Sequence, residues 1–248
     1  KVQRIEERAF YCSFFLTTIT FPEDSELVSI GKEAFDGTLI NSLTIPSKVK
    51  ELDEGWCKGT SNLFSVSVSL ENKKYKILDN DFIIGKSDEN TNDYDLLVFC
   101  CRDVDEAYIP SCIKRICPYS FFECKYMTRV DFSEKTNLQY IDKFAFSSSA
   151  IEKINIPKSV KEIDEYSFYL CEQLSEVTFE EESEMTKINQ YSFSSTSITT
   201  IIIPNNVDFI GESTFSNCSK LQTITFSENS NLLSIEENAF ENSSIESL

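Results

Sequence analysis

Residues 154–174, INIPKSVKEIDEYSFYLCEQL, contain one unit of a repeat that runs through the chain. The first three residues alternate apolar, polar and apolar, and Pro157 follows them. An apolar anchor, Ile163, is followed at its fourth and fifth positions by a small residue and then Phe168. Self-similarity of this kind predicts a repeat fold before any local pattern is considered.

The spacing of the anchors shows how far the repeat extends. Equivalent anchors are Ile5, Ile30, Leu52, Ile77, Ile116, Ile141, Ile163, Ile188, Ile210 and Ile235. Successive gaps alternate between 25 and 22 residues, except for a gap of 39 after Ile77, which equals 22 plus an insertion of 17. We therefore predict one solenoid over residues 1–248, with about ten units and a hairpin insertion near residues 82–100.

Each unit also carries a short alternating apolar stretch, as at residues 154–156, 177–179 and 224–226. Alternation with β-branched residues predicts a strand, and a following proline marks where the strand ends. One coil cannot bury its apolar face alone, so the coils are expected to stack around a column of phenylalanines. The predicted fold class is an α/β-type repeat solenoid, with a parallel β-sheet on one face and mostly short strands and loops.

The composition argues against several classes of function. The chain of 248 residues has 41 acidic and 23 basic residues and a net charge of −18. Such a surface repels phosphate backbones and anionic lipid heads, so we expect no nucleic-acid partner. There is no apolar run of 18 residues, so we expect no direct membrane insertion. Lys1 and Leu248 both fall inside repeat units, and we interpret the sequence as a fragment of a longer protein.

The cysteines are arranged by the repeat. Cys124, Cys171 and Cys218 lie 47 residues apart, in the same column of every second coil. Two coils span about 10 Å, which is too far for a disulfide, so we expect buried, free and unreactive thiols. The sequence leaves open whether a disulfide forms within the set Cys57, Cys100, Cys101, Cys112 and Cys117.

The sequence gives no sign of catalysis. It has no histidine, which removes histidine-based triads and proton shuttles, and only 6 glycines, none in a phosphate-binding loop. No C-x-x-C motif is present to form a zinc site. We therefore predict a non-enzymatic protein with no catalytic residue, no cofactor and no metal.

The repeat unit resembles the BspA-like class of leucine-rich repeats, a surface antigen family. That family's unit reads I-P-x-x-V-x-x-I-G-x-x-A-F-x-x-C-x-x-L, and the match covers essentially the whole chain. Trp56-Cys57 departs from the Ala-Phe pair. The resemblance implies a protein-binding surface antigen or adhesin that is displayed outside the cell and binds host or matrix proteins. It also implies that the insertion is an extra hairpin inside one repeat.

Two other functions remain open from the sequence. One is an intracellular, cytoplasmic scaffold for protein partners, which free cysteines favour because secreted chains usually oxidise theirs. The other is the targeting region of a larger enzyme.

The outward positions of the predicted strands give a candidate binding surface. Ten of sixteen are Ser or Thr, which β-propensity alone explains. The charged ones cluster just after the insertion, and insertions in repeat arrays often map to the binding face. We expect the insertion to form a hairpin that projects beside this cluster. The predicted protein-binding residues are Arg129, Asp131, Lys153, Asn155, Glu176, Tyr94 and Phe99.

Overall fold

A computed structural model describes residues 1–247, and Leu248, which ends the repeat pattern, lies outside the described residues. The described chain forms a β-solenoid of short strands and turns. The strands are β1 (Arg4–Ile5), β2 (Ser29–Ile30), β3 (Ser42–Ile45), β4 (Glu51–Leu52), β5 (Ser65–Val68), β6 (Tyr75–Leu78), β7 (Phe82–Gly85), β8 (Leu96–Cys100), β9 (Glu106–Ile109), β10 (Arg115–Ile116), β11 (Arg129–Phe132), β12 (Tyr140–Ile141), β13 (Lys153–Ile156), β14 (Glu162–Ile163), β15 (Glu176–Phe179), β16 (Lys187–Ile188), β17 (Thr200–Ile203), β18 (Phe209–Ile210), β19 (Thr223–Phe226) and β20 (Ser234–Ile235).

Nine of the ten anchors lie in two-residue strands that stack in parallel, and Ile77 lies in the four-residue strand β6, which pairs antiparallel with β7. One sheet has the order β1-β2-β4, and a larger one has the order β20-β18-β16-β14-β12-β10-β8-β7-β6. Ile163 lies opposite Ile141 on one side and Ile188 on the other. From Ile5 to Leu52 and from Ile116 to Ile235 the anchors therefore stay in register from coil to coil, and the alternating unit length is taken up by the turns.

The alternating stretches form separate parallel sheets of four-residue strands. Their orders are β3-β5, β9-β11-β13-β15 and β17-β19. In β13, Ile154 and Ile156 are buried while Lys153 and Asn155 are exposed. Side chains alternate between the two faces of a strand, so one residue set fills the core and the other forms a surface.

The column phenylalanines stack as parallel rings through the core. The rings of Phe121, Phe146, Phe168, Phe193, Phe215 and Phe240 follow one another with centroids 4.7–5.5 Å apart and interplanar angles of 3–6°. The repeat thus places the same apolar contact in every coil of this part of the solenoid.

The α/β part of the predicted fold class is wrong, because residues 1–247 contain no helix. The segment after each anchor turns at two residues with positive φ, which lie on either side of the column residue in every unit but that of Ile77. Around Phe168 these are Tyr166 (φ 56°) and Leu170 (φ 58°). A left-handed residue every few positions interrupts α-helical hydrogen bonding, so the segment forms tight turns.

The insertion is built into the larger anchor sheet. Strand β7 pairs antiparallel with β6 and with β8, so three strands form a meander. Strand β8 then pairs in parallel with β10 through Leu96↔Arg115. All four residues of β7 are buried. The prediction of a projecting two-stranded wall therefore missed a third strand and the burial of β7.

Candidate binding surface

The outward residues of β9, β11, β13 and β15 form one exposed face, which we call the strand surface. It consists of Glu106, Tyr108, Arg129, Asp131, Lys153, Asn155, Glu176 and Thr178. Five of the predicted site residues lie on it, because the parallel register carries them to the same face.

The strand pairing sets the order of charges across the strand surface. Arg129 lies between Glu106 and Lys153 on its two neighbouring strands, and Lys153 also lies opposite Glu176. The two basic residues are therefore adjacent and are bounded by acidic residues on both outer strands.

Both basic residues of the strand surface are paired with carboxylates. The distance from Arg129 Nε to Asp131 Oδ2 is 2.9 Å, and that from Lys153 Nζ to Glu176 Oε2 is 3.0 Å. Asn155 Oδ1 accepts a hydrogen bond from Thr178 at 3.0 Å. Exposed ion pairs of this kind contribute about 0–1 kcal/mol. Breaking either pair so that its charges can contact a partner therefore costs little free energy.

Two shallow grooves run over this face. The larger has a volume of about 900 Å³ and is lined by residues of β15, β17 and the turns that follow them. The smaller has a volume of about 490 Å³ and lies over β11 and β13. Lys153 and Glu176 line both grooves. The paired charges thus lie where the two grooves meet.

The grooves combine acidic and apolar surface. The turn at residues 180–182 supplies three glutamates to the wall of the larger groove. Ile202 on β17 is 67% exposed and lines the same groove. An exposed isoleucine in a groove that acidic side chains also line is suited to contact with a protein.

Phe99 is a correction to the predicted site, because its side chain is fully buried. Its ring packs against Trp56 with centroids 5.7 Å apart. Tyr94 lies under the ammonium groups of Lys76 and Lys86, at 4.1 and 5.1 Å from its ring centroid. Neither residue lines the two grooves, because β7 and β8 belong to the anchor sheet and not to the sheet of the strand surface.

Sequence reasoning missed Glu106 and Tyr108 as members of the strand surface. Tyr108 is 57% exposed and lies opposite Asp131. The signal was present, since residues 106–109 alternate polar and apolar side chains and Pro110 follows them. The insertion shifts this strand away from the regular spacing, which hid its equivalence to β11 and β13.

A second row of aromatic residues occupies the left-handed turn positions. The rings of Tyr119, Phe144, Tyr166 and Tyr191 stack with centroids 4.7–5.0 Å apart. Their faces cover one another, so the row offers ring edges to solvent. This row was not predicted from the sequence.

Within residues 1–247, no three His, Cys, Asp or Glu side chains come together in a way that could hold a metal ion. The same part of the chain has no helix long and apolar enough to cross a membrane.

The repeats match a known family. The BspA-type leucine-rich repeat region matches in six copies, over residues 1–83, 97–186 and 186–248. Residues 84–96, between the first two ranges, include the loop between β7 and β8. No curated protein sequence matches the chain.

Solved structures with similar folds are bacterial repeat proteins. A leucine-rich repeat protein from Eubacterium ventriosum has a TM-score of 0.83 at 21% identity, over 98% of this chain and 69% of that one. A leucine-rich cell surface protein from Faecalibacterium prausnitzii has a TM-score of 0.71 at 22% identity, over 99% of this chain and 56% of that one. The pneumococcal vaccine antigen PcpA has a TM-score of 0.66 at 21% identity, over 92% of this chain and 49% of that one. At these identities the similarity concerns the fold.

Proposed function

Because the chain belongs to the BspA-type leucine-rich repeat family, we propose that it is a non-enzymatic protein-binding module whose partner docks on the strand surface. The observation that carries this proposal is the alignment of Arg129, Lys153 and Glu176 on one exposed sheet face, where two grooves meet. Repeat solenoids bind through extended surfaces of this kind.

The charges of the strand surface support recognition of a protein. The pair of Lys153 with Glu176 is exposed and held by one contact of 3.0 Å. A partner that carries an acid and a base at matching positions can exchange with this pair without leaving a charge unpaired. Such complementarity favours specificity and rate of association more than affinity.

The exposed side chains of Tyr108 and Ile202 supply apolar contact area at two places on the same side of the solenoid. Tyrosine is enriched in protein interfaces because it combines a large apolar ring with a polar end. Binding energy is expected to come from these residues, with the ion pairs setting the orientation of the partner.

The proposed location is the cell surface, with a host or matrix protein as the partner. Support comes from the family and from the printed descriptions of two structural neighbours, a cell surface protein and a vaccine antigen. An intracellular scaffold is the second candidate, and one observation favours it. All nine cysteines are free, as is usual in a reducing compartment.

A panel of immobilised extracellular-matrix proteins (collagen, fibronectin and laminin) tests the proposal by biolayer interferometry. Wild-type protein is expected to bind at least one member, and Lys153→Glu is expected to weaken that binding at least tenfold. The matched control is Lys48→Glu, which disrupts an exposed ion pair with Glu26 outside both grooves. Equal loss in both variants, or no binding to any member, would contradict the proposal.

A further inference from the structure

The four-residue strands on the side of the strand surface are joined two by two. β9 with β11, β13 with β15, and β17 with β19 each share four residue pairs. In contrast, β11 and β13 share one residue pair, Arg129 with Lys153, and β17 belongs to a different sheet from β15. The surface is therefore interrupted between β15 and β17, and is weakly joined between β11 and β13.

The interruptions follow the spacing of the strands along the chain. Lys153 pairs with Glu176, which is 23 residues further on, and the other fully paired strands have the same spacing. From the first residue of β11 to that of β13 the spacing is 24 residues, as it is from β15 to β17. One extra residue between neighbouring strands disturbs their register, which each fully paired couple keeps. The interruptions thus follow from the alternating lengths of the repeat units.

The two grooves lie at these interruptions. The smaller groove lies over β11 and β13, and the larger is lined by β15, β17 and the turns after them. Val177 and Ile201, whose side chains face the core, also line the larger groove, so its floor lies between the two strands. The lining extends from Ser175 and Thr199, just before the strands, to Asn206 in the turn beyond. The larger groove therefore runs along the strands, and its length suits about five extended residues.

An apolar side chain lies in the middle of the larger groove. Ile202 is the third residue of β17 and is 67% exposed. The third residues of the neighbouring four-residue strands are polar, namely Thr178 on β15 and Thr225 on β19. Threonine suits a strand as isoleucine does, so the sheet itself does not require an apolar residue at this position. Ile202 thus offers an apolar contact to a bound ligand.

The turn after β15 makes one end of the larger groove acidic, because residues 180–182 are all glutamates that line it. Among the lining residues, Lys153 is the basic one, and it is paired with Glu176. Of the ion pairs formed within residues 1–247, none involves Glu181 or Glu182. A basic side chain is therefore the complement of this end of the groove.

We propose that the larger groove binds an extended segment of a protein partner in which an apolar residue and a lysine or arginine are two positions apart. This inference rests on the proposed function, in which a partner docks on the strand surface. Residues two positions apart in an extended segment point to the same side and lie about 6.6 Å apart. The apolar side chain packs on Ile202, and the basic one reaches Glu181 and Glu182.

The groove also determines which segments bind poorly. An acidic segment meets four glutamate carboxylates along the lining and is repelled. A segment whose apolar and basic residues are adjacent points them to opposite sides when it is extended. Only one of the two side chains then faces the groove. Spacing as well as charge is therefore expected to control binding.

Synthetic peptides with blocked termini test this pattern by isothermal titration calorimetry. The probe Thr-Leu-Thr-Arg-Thr-Arg-Thr places leucine and both arginines on one side when extended. The isomer Thr-Leu-Arg-Thr-Arg-Thr-Thr has the same composition and charge, but its leucine points away from the arginines. The probe is expected to bind about tenfold more tightly than the isomer. Equal binding of both, or no binding of the probe at millimolar concentration, would overturn the inference.

Variants of the protein test whether the probe lies in the larger groove. Ile202→Thr and Glu181→Gln/Glu182→Gln should each weaken binding of the probe about fivefold or more. The matched control is Glu134→Gln/Glu228→Gln, which removes the same charge from exposed positions in the turns after β11 and β19, outside both grooves. The control should bind the probe as wild-type protein does. An equal loss in the control would show general attraction to an acidic protein and would overturn the inference.

The result is separable from that of the proposed function. Thermal unfolding should be similar in wild-type protein and Ile202→Thr, so that weaker binding reports the contact and not the fold. If the probe fails while Lys153→Glu still weakens binding of a matrix protein, this inference is wrong and the proposed function stands. If no matrix protein binds while the probe binds selectively, the proposed function is contradicted and the ligand class of the groove stands.

Discussion

The regular coils after Ile116 and the coil with the insertion bury similar residues in different ways. In the regular part, Phe146 and Phe168 stack with centroids 5.0 Å apart and an interplanar angle of 3°. At the insertion, Phe82 meets Phe121 edge-on at 6.3 Å and 63°. Identical units repeat one ring contact, whereas an interrupted unit must pack its rings at whatever angle the local backbone allows.

The same difference extends to polar groups in the core. In the regular part the column cysteine packs against a hydroxyl, as Cys218 does against Thr196. Beside the insertion the equivalent Cys124 faces the guanidinium of Arg102. Repetition thus favours neutral contacts that can be copied from coil to coil. The insertion is where the molecule departs from that pattern and acquires chemically distinct groups.

The largest expected effect is on stability, from truncation of a stacked phenylalanine. Phe168→Ala removes a fully buried ring that stacks on both sides, and should lower the free energy of unfolding by about 3–5 kcal/mol. Phe82→Ala removes a buried ring from the insertion and should cost about 1 kcal/mol less, because Phe82 makes one edge-on ring contact whereas Phe168 makes two stacked ones. Urea unfolding measures both. An equal or greater loss in Phe82→Ala would contradict the proposed difference between the regions.

The stability of the junction between the two regions should depend on pH. Arg115 Nη1 lies 2.6 Å from Asp142 Oδ1, yet burial raises the pKa of Asp142 from its usual 3.8 to about 6, against the effect of Arg115. The folded state holds this proton more tightly, so the stability it contributes is present below pH 4 and is lost as pH rises through 6. The free energy of unfolding should fall by about 2–3 kcal/mol over this pH range.

Asp142→Asn should remove that part of the pH dependence between pH 4 and 7. The control is Asp131→Asn, which alters an exposed ion pair on the strand surface. Thermal unfolding at several pH values measures both variants. A pH profile unchanged in Asp142→Asn would show that another group at the junction titrates in this range.

A smaller effect is expected from Gly211→Ala in the regular part. A Cβ at Gly211 would lie 2.5 Å from the backbone nitrogen of Gln190, and this backbone cannot yield without disturbing the adjacent coil. We expect a loss of about 1–3 kcal/mol. In the insertion, a Cβ at Gly85 would lie 3.0 Å from the Tyr75 side chain, and Gly85→Ala should lose less stability. If chemical denaturation shows a larger stability loss for Gly85→Ala than for Gly211→Ala, the regular backbone is the more adaptable one.

The smallest effect on stability should come from the strand surface. The double change Lys153→Glu/Glu176→Lys keeps an exposed ion pair and should alter the free energy of unfolding by less than about 0.5 kcal/mol. Its effect on partner binding should nevertheless match that of Lys153→Glu alone. A stability loss above about 1 kcal/mol would mean that these residues support the fold.

The regular coils were also easier to predict from the sequence than the coil with the insertion. The anchor spacing predicted about ten coils, a phenylalanine column and a parallel sheet on one face, because each feature is repeated many times and a single substitution such as Trp56 does not hide it. It did not predict that the anchors form parallel sheets of their own. It did not predict the left-handed turns at Tyr166 and Leu170, and the expected α component was therefore wrong. Nothing in either side-chain type signals a positive φ, which the stacking of the coils imposes.

The candidate site was predicted in part for a physical reason. Arg129, Lys153 and Glu176 lie in regular units, so a period of two residues along each strand places them on one face. Phe99 lies in the insertion, where no second copy fixes which face is outward, and it is buried against Trp56. The burial of Arg102 was not predicted from the sequence, because charged residues are usually exposed and no sequence pattern indicates a buried guanidinium.

Hydrogen exchange tests the central claim, that a partner docks on the strand surface, most directly. The protein is measured alone and saturated with the matrix protein of the panel that binds it most tightly. The account predicts slower exchange in β11, β13 and β15 and in the turn at residues 180–182, with no change in β1, β2 or β4. Protection confined to the anchor strands or to the loop between β7 and β8, with β13 and β15 unaffected, would contradict it.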